Sequence, residues 1–289
     1  MSDYSPEEYQ PSKLNEVLER IAMVKQSSKL PIVLFDLDST LFDTAPRNLR
    51  ILSEFAADIE QNKVYSAESK SALSTASARV TLADLGWNYK APLLKYLAED
   101  PTYTEHEAVQ KEVEDMLGDL QAYWEVHFFS DEYVALDLPT PGAAPFAQEV
   151  HAAGALVYYL TGRHVSSSES VVVENIDNRS VKLVVTPGME FGTARALTTR
   201  GFPFWRGRCE LHLKPDFTTD DTEFKQSAIN YVKDLDGMVV ATFDNEPGNC
   251  NMFRANFPGA LNFFLDTVHS PAAPPPDKEL IKLGDFSRQ

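Results

Sequence analysis

Five short apolar runs constrain the fold of this chain more than any other feature: Pro31 to Phe35, Ala155 to Leu160, Cys209 to Leu213, Met238 to Phe243 and Ala260 to Leu265. Most are apolar on successive residues rather than on alternate ones. That is the pattern of strands covered on both faces by helices in a parallel sheet. The run CELHL alternates instead and reads as an edge strand. Helical candidates separate the runs, at Ala143 to Ala153, Gly188 to Thr199, Thr222 to Leu235 and Pro247 to Asn256. Strand alternating with helix predicts an α/β fold built on a doubly wound, parallel, five-stranded sheet.

One interval breaks the rhythm. Residues 44–137 are far too many for a single crossover helix, and their helical segments (Arg47 to Gln61, Ala67 to Leu85, Ala91 to Ala98, Thr104 to His127) carry few strand signals. The division expected is a core domain from residues 1–43 and 138–289, with a helical cap subdomain at 44–137. A second insertion, residues 166–185, has two β-branched runs flanking Asn175-Ile176-Asp177-Asn178 and reads as a β-hairpin. Such a hairpin offers an edge to a second chain, so the oligomeric state stays open. The N-terminal helix from Ser12 to Gln26 and the proline-rich tail after Ser270 are expected to wrap the core or mediate contacts.

Charge and composition remove several classes of function. A formal net charge of -17 repels polyanions, which argues against a nucleic-acid partner. The best basic cluster, Arg200, Arg206 and Arg208, is too short to override that field. No run of 18 apolar residues is present, so no membrane-spanning helix is expected. The acidic N-terminal stretch is unlike a signal peptide, and the two cysteines, Cys209 and Cys250, lack metal-ligand spacing; a reducing, cytoplasmic setting is the simple reading.

In a doubly wound sheet, ligands bind at the carboxyl ends of the strands. Three polar clusters fall there: Asp36 to Thr40, Thr161-Gly162-Arg163, and Asp244-Asn245-Glu246. Together they supply the parts that phosphoryl transfer needs. Asp36 and Asp38 lie two apart, so one can attack phosphorus while the other moves protons. Thr161 and the amide of Gly162 can donate hydrogen bonds to a phosphoryl group. Asp36 and Asp244 can share a magnesium ion, with Asn245 or Glu246 acting on it indirectly and the Thr40 hydroxyl steadying the loop. Lys225, near a helix start, can neutralise phosphate and carboxylates, and Lys214, at the end of a strand, is its rival. Each cluster also has a plainer reading: an acidic turn for DLDST, a helix N-cap for Asp244, a solvated lysine for Lys225.

FDLDSTLFDT, YLTGR, the lysine of TEFKQSAINYV and TFDNEPGN resemble the four ordered motifs of the haloacid dehalogenase superfamily. The resemblance spans residues 29–43 and 139–269 and implies a Rossmann-like core with an inserted cap. It implies that Asp36 becomes phosphorylated and that Asp38 is acid and base. The Asp38 carbonyl would join Asp36 and Asp244 on Mg2+, and Thr161 and Lys225 would bind the phosphoryl group. Asn245 stands where the family commonly has a second acid.

Arg47 and Arg50 follow the first motif and His164 adjoins the second, so each is a candidate for contact with substrate. The function expected is a magnesium-dependent phosphatase acting on a small phosphorylated metabolite that fits between cap and core. The alternatives are phosphomutase-type transfer or an idle module that binds phosphorylated ligands. Dehalogenation is disfavoured, because a leaving halide needs no acid-base residue at Asp38.

Overall fold

A computed structural model of the chain describes residues 9–86, 89–175, 178–186, 188–204 and 207–288, with backbone alone over 167–186. The chain opens with α1 (Lys13–Gln26), β1 (Leu30–Phe35) and a short β2 (Phe42–Asp43). Among the described residues six α-helices follow: α2 (Ala45–Glu60), α3 (Ala67–Arg79), α4 (Lys90–Leu97), α5 (Pro101–Glu105), α6 (Glu107–Phe128) and α7 (Asp131–Val134). The remainder runs β3 (Leu138–Pro139), α8 (Ala143–Ala152), β4 (Leu156–His164), β5 (Ser167–Asn175), β6 (Asn178–Thr186), α9 (Glu190–Thr199), β7 (Cys209–Lys214), α10 (Asp221–Asp234), β8 (Gly237–Asp244), α11 (Pro247–Asn256), β9 (Leu261–Leu265) and β10 (Ile281–Leu283). The backbone forms two compact units, Met1–Asp43 with Leu138–Gln289, and Thr44–Asp137.

The core unit holds a sheet of six strands, all paired in parallel, in the order β10-β9-β8-β1-β4-β7. Five of these are the apolar runs, and β7, the alternating run, lies at an edge. The sixth corrects the five-stranded expectation. The tail does more than wrap the core: Ile281, Lys282 and Leu283 pair with Phe263, Phe264 and Leu265 and extend the sheet. Three residues in a polar, proline-rich segment carry too little apolar pattern to be read as a strand.

The two faces of the sheet are clothed separately. Alternate β1 residues Ile32 and Leu34 join Leu156, Tyr158 and Leu160 of β4 against Phe224, Ala228, Ile229 and Val232 of α10 and Phe253 of α11. Phe35 points the other way, into edge contact with Phe146 of α8 and in line with Phe243, which stacks on it. Each such side chain contributes on the order of 1.5–3 kcal/mol by leaving water, so these interleaved faces dominate the stability of the unit. Helix α10 begins where Asp220 accepts hydrogen bonds from the backbone N–H groups of Thr222 and Glu223, a side-chain cap that satisfies two otherwise orphaned donors.

Strand β1 lies between β4 and β8, so the chain winds outward from it in both directions. The loops leaving β1, β4 and β8 therefore open at one switch point, the place where doubly wound sheets bind ligands. The core chain leaves and returns through β2 and β3, whose residues Phe42 and Asp43 pair antiparallel with Pro139 and Leu138. Strands β5 and β6 form a separate antiparallel pair, in register from Ser167 opposite Thr186 to Asn175 opposite Asn178. The predicted turn residues Ile176 and Asp177 lie outside the described residues.

The other unit is helical. Leu52, Phe55, Leu73, Leu93, Val113, Met116 and Leu120 form its buried centre, and Tyr123 and Trp124 pack against it. The aromatics at helical spacing on α6 pack within the unit: Trp124 stacks on Tyr89 and on Phe128, and Tyr123 on His127. Proline near the start of α2 and of α5 suits first-turn positions, whose N–H groups would be unpaired anyway. No described helix is long and apolar enough to cross a membrane.

Candidate active site

Asp36 is the first residue after β1, and its backbone N–H still donates to the Phe243 carbonyl of β8, at 2.9 Å. Phe35 and Phe243 are register partners, so Asp36 and Asp244 leave their strands side by side. Both are buried. Two carboxylates so placed repel, and Lys225 offsets that repulsion by donating to Asp36 Oδ1 and to Asp244 Oδ2, each at 2.7 Å. Its stem lies on the inward stripe of α10, in step with Ala228, Ile229 and Val232. Burial pushes the Asp36 carboxyl up to about 7, with Lys225 opposing and Asp244 adding to the rise. Burial by itself would lower the Lys225 ammonium, but Asp244 and Asp36 outweigh it and hold it above its ordinary value.

Lys214 is elsewhere. Its ammonium donates to Asp221 Oδ1 at 2.7 Å, so of the two rival lysines Lys225 is the one that meets the aspartates. Asp221 also crowds Gly162: a Cβ at that position would lie 2.6 Å from Asp221 Oδ2, so the carboxylate would have to shift to admit one. Thr161 is buried beside it, and its hydroxyl oxygen accepts from the backbone N–H of Arg163 at 3.3 Å.

The loop after β1 turns sharply. Ser39 has φ of 58°, a left-handed conformation unusual for a residue with a side chain, and strain of this kind gathers at functional loops. The turn is held by Ser39 N–H donating to the Phe42 carbonyl at 2.7 Å and by the Thr267 hydroxyl donating to the Ser39 carbonyl. Asp38 projects from this turn and is gripped by Arg163. The guanidinium Nε lies 3.1 and 3.2 Å from the two Asp38 oxygens, and Nη2 lies 2.5 Å from Oδ1.

The remaining residues tie the loops together. The Thr40 hydroxyl donates to Asn245 Oδ1 at 3.1 Å, and Asn245 Nδ2 donates to the Val268 carbonyl at 2.6 Å. An aspartate at 245 would lack that second donor, which is a physical reason for asparagine here. Glu246 turns to the following loop, where its Oε1 accepts from Ser270 N–H at 3.0 Å; burial raises its carboxyl. Asp244 Oδ1 accepts from Glu246 N–H at 2.9 Å and from Asn249 Nδ2 at 3.3 Å, so Asp244 is held on both oxygens.

The three candidates for substrate contact lie in different surroundings. Arg47 is fully enclosed in the helical unit: its Nε donates to Asp137 Oδ1 at 2.9 Å, its Nη2 to Oδ2, and its Nη1 to the Phe128 carbonyl at 3.0 Å. All three of its nitrogens are thus engaged within that unit. Arg50 instead lies in the open and pairs with Glu54 one helical turn along. His164 ends β4, paired with Lys214 of β7, and is buried. Of the basic cluster, Arg208 donates to the Gly154 carbonyl, and Arg206 lies outside the described residues.

Sequence reasoning missed Arg163 and Asn249, although Arg163 completes a motif it quoted. The available signal was an arginine at the buried end of a strand, a position that burial forbids to an unpaired charge.

Among the described residues no three His, Cys, Asp or Glu side chains gather as a ready metal cage. The donor set is smaller: two buried carboxylates sharing one ammonium, with one negative charge in excess. Hard oxygen ligands in that number suit magnesium, which binds through one or two carboxylates and keeps its other positions for water or phosphate.

The model of the haloacid dehalogenase-like hydrolases matches residues 30–188. No curated protein matches the chain. Solved structures that resemble it include a class C acid phosphatase from Bacillus anthracis with tungstate bound, at 14% identity and a TM-score of 0.41, covering 91% of this chain and 79% of that one. A haloacid dehalogenase-like family protein from Streptococcus pneumoniae is similar at 10% identity and a TM-score of 0.39, covering 82% and 85%. Likenesses this loose say nothing of substrate.

Proposed function

The chain belongs to the haloacid dehalogenase-like hydrolases, and from that premise we propose that it is a magnesium-dependent phosphatase acting on a small phosphate monoester through Asp36. The observation that carries this reading is Lys225 shared between Asp36 and Asp244 at 2.7 Å each. One ammonium against two carboxylates keeps a nucleophile oriented and leaves room in the charge balance for a cation and a dianionic phosphoryl group.

In the first step a carboxylate oxygen of Asp36 attacks phosphorus, forming an acyl-phosphate bond as the bond to the ester oxygen breaks. Asp38 gives that oxygen its proton, and the alcohol leaves. In the second, Asp38 takes a proton from water as the water oxygen attacks phosphorus, the bond to Asp36 breaks, and inorganic phosphate departs. The sum is ester plus water giving alcohol plus phosphate. Thr161 and the Gly162 amide donate to the phosphoryl oxygens and Lys225 offsets their charge, an arrangement of the oxyanion-stabilising kind. Magnesium would be held by Asp36, Asp244 and the Asp38 carbonyl, and when bound it supplies further charge neutralisation at the phosphoryl group. Asp38 also argues against dehalogenation, since halide departs without a proton.

The test is hydrolysis of a chromogenic aryl phosphate with magnesium or with a chelator, comparing the wild type with Asp36→Asn. Magnesium-dependent turnover is expected, lost in the variant, with phosphate trapped on Asp36 in quenched wild-type samples by mass spectrometry. Undiminished turnover by Asp36→Asn would sink the covalent route.

A further inference from the structure

Arg163 has a role that its neighbours in the motif do not explain. Its side chain is fully buried, whereas that of Asp38 retains 32% of its exposure. The guanidinium fork spans both Asp38 oxygens through Nε and reaches Oδ1 again through Nη2. The opposite edge, Nη1, donates to the hydroxyl oxygen of Thr193 at 3.2 Å, and Thr193 is itself buried on α9. The guanidinium also lies over the Phe42 ring, 5.3 Å from its centroid. The end of β4, helix α9 and the residue that closes the turn after β1 thus converge on one planar group. Of these partners Asp38 is partly exposed.

We propose that Arg163 is a positioning residue of the reaction, the fixed backing that aims the Asp38 carboxyl at the ester oxygen. This rests on the phosphatase reading above. The turn carrying Asp38 pivots at Ser39, whose left-handed φ gives it little intrinsic preference for this shape. A side chain on such a turn keeps one rotamer only where something holds it. A planar fork buried on three sides holds a carboxylate in orientation as well as in place, which a lysine ammonium cannot do. Thr193 in turn keeps the fork from rotating. Proton delivery depends on placement to within fractions of an ångström, so loosening this backing costs most where the proton matters most.

That dependence separates positioning from simple support of the fold. An alkyl phosphate needs a proton on its departing oxygen, whereas a dinitrophenyl phosphate departs as a stable phenolate. Arg163→Lys and Arg163→Met are expected to reduce kcat/KM for the alkyl ester at least about tenfold more than for the dinitrophenyl ester, a fraction of what general acid catalysis contributes. Thr193→Val keeps Arg163 and removes only its backing, so the same selectivity is expected in weaker form, and this variant carries the test if the arginine variants do not fold. In an Asp38→Asn background Arg163→Met should add no further loss with the dinitrophenyl ester, because the group it positions is gone. Equal losses for the two esters in the Arg163 and Thr193 variants, or a further loss in the Asp38→Asn background, would overturn the inference while leaving the phosphatase reading intact. No turnover of either ester by the wild type would overturn both.

Discussion

Arg47 in the helical unit sets its guanidinium fork on both oxygens of Asp137, while in the core unit the ammonium of Lys225 lies between two carboxylates, Asp36 and Asp244. Both groups are buried, and both cations are held by hydrogen bonds. The difference is geometry. In the helical unit the fork is filled by both Asp137 oxygens, and the third nitrogen is satisfied by the Phe128 carbonyl. Such a group is closed. It joins the first turn of α2 to the last residue of the unit and holds the two ends of the insertion together. In the core unit one negative charge is left over, and burial with a second carboxylate keeps Asp36 poised near neutrality. A cluster left with surplus negative charge stabilises the fold poorly and is suited to bind a cation that offsets it.

The comparison can be broken most forcefully by Asp36→Asn. In the core cluster this should abolish turnover, by on the order of 10⁴-fold or more, as loss of a nucleophile does. The same change removes the surplus charge, so the melting temperature in chelator should stay level or rise; a sharp fall would mean that the aspartate serves the fold.

The helical pair should behave the opposite way. Asp137→Ala leaves Arg47 buried without its carboxylate and should cost about 3–5 kcal/mol in denaturant unfolding, whereas Arg47→Met with Asp137→Leu should be near neutral, as matched buried pairs replaced by apolar residues often are. If the double variant were as unstable as the single one, the pair would hold more than itself.

A smaller effect follows from pH. The Asp36 carboxyl is raised from 3.8 to about 7 in the folded protein. A raised carboxyl stabilises the fold fully below its unfolded value and loses that contribution as pH rises through the folded one. Metal-free protein should therefore lose stability between about pH 4 and about pH 7, as followed by thermal melts in chelator. Asp36→Asn should flatten that profile; an unchanged slope would assign it to other groups.

Smallest of all is Arg50, whose side chain is 61% exposed beside Glu54. Arg50→Ala should change stability by less than about 0.5 kcal/mol, as exposed i,i+4 pairs do, and leave kcat/KM for the aryl ester unchanged. A marked rise in KM would restore it as a substrate contact.

Much of the site was legible because it is local. Asp36, Thr161 and Asp244 each follow an apolar run, and the ends of central strands in a doubly wound sheet converge at one place whatever the loops do. Lys225 was singled out only by the resemblance, with Lys214 as its rival, and its place on the α10 stripe beside Ala228, Ile229 and Val232 is what the structure adds. The pairings were not legible. Arg163 finds Asp38 across 125 positions and Arg47 finds Asp137 across 90, and no periodicity reports on such distances. Arg47 and Arg50 looked equivalent in sequence, three apart on one helix, yet one is enclosed and the other exposed. The strand β10 was hidden for a related reason: three residues become a strand by pairing with Phe263, Phe264 and Leu265, not by any preference of their own.

By itself, then, the sequence determined the parallel sheet and the polar residues at its carboxyl edge, because hydrophobic pattern and side-chain type act over a few positions. Only the tertiary structure decided which cation meets which carboxylate, because that depends on where distant segments come to rest and on which charges burial obliges to pair.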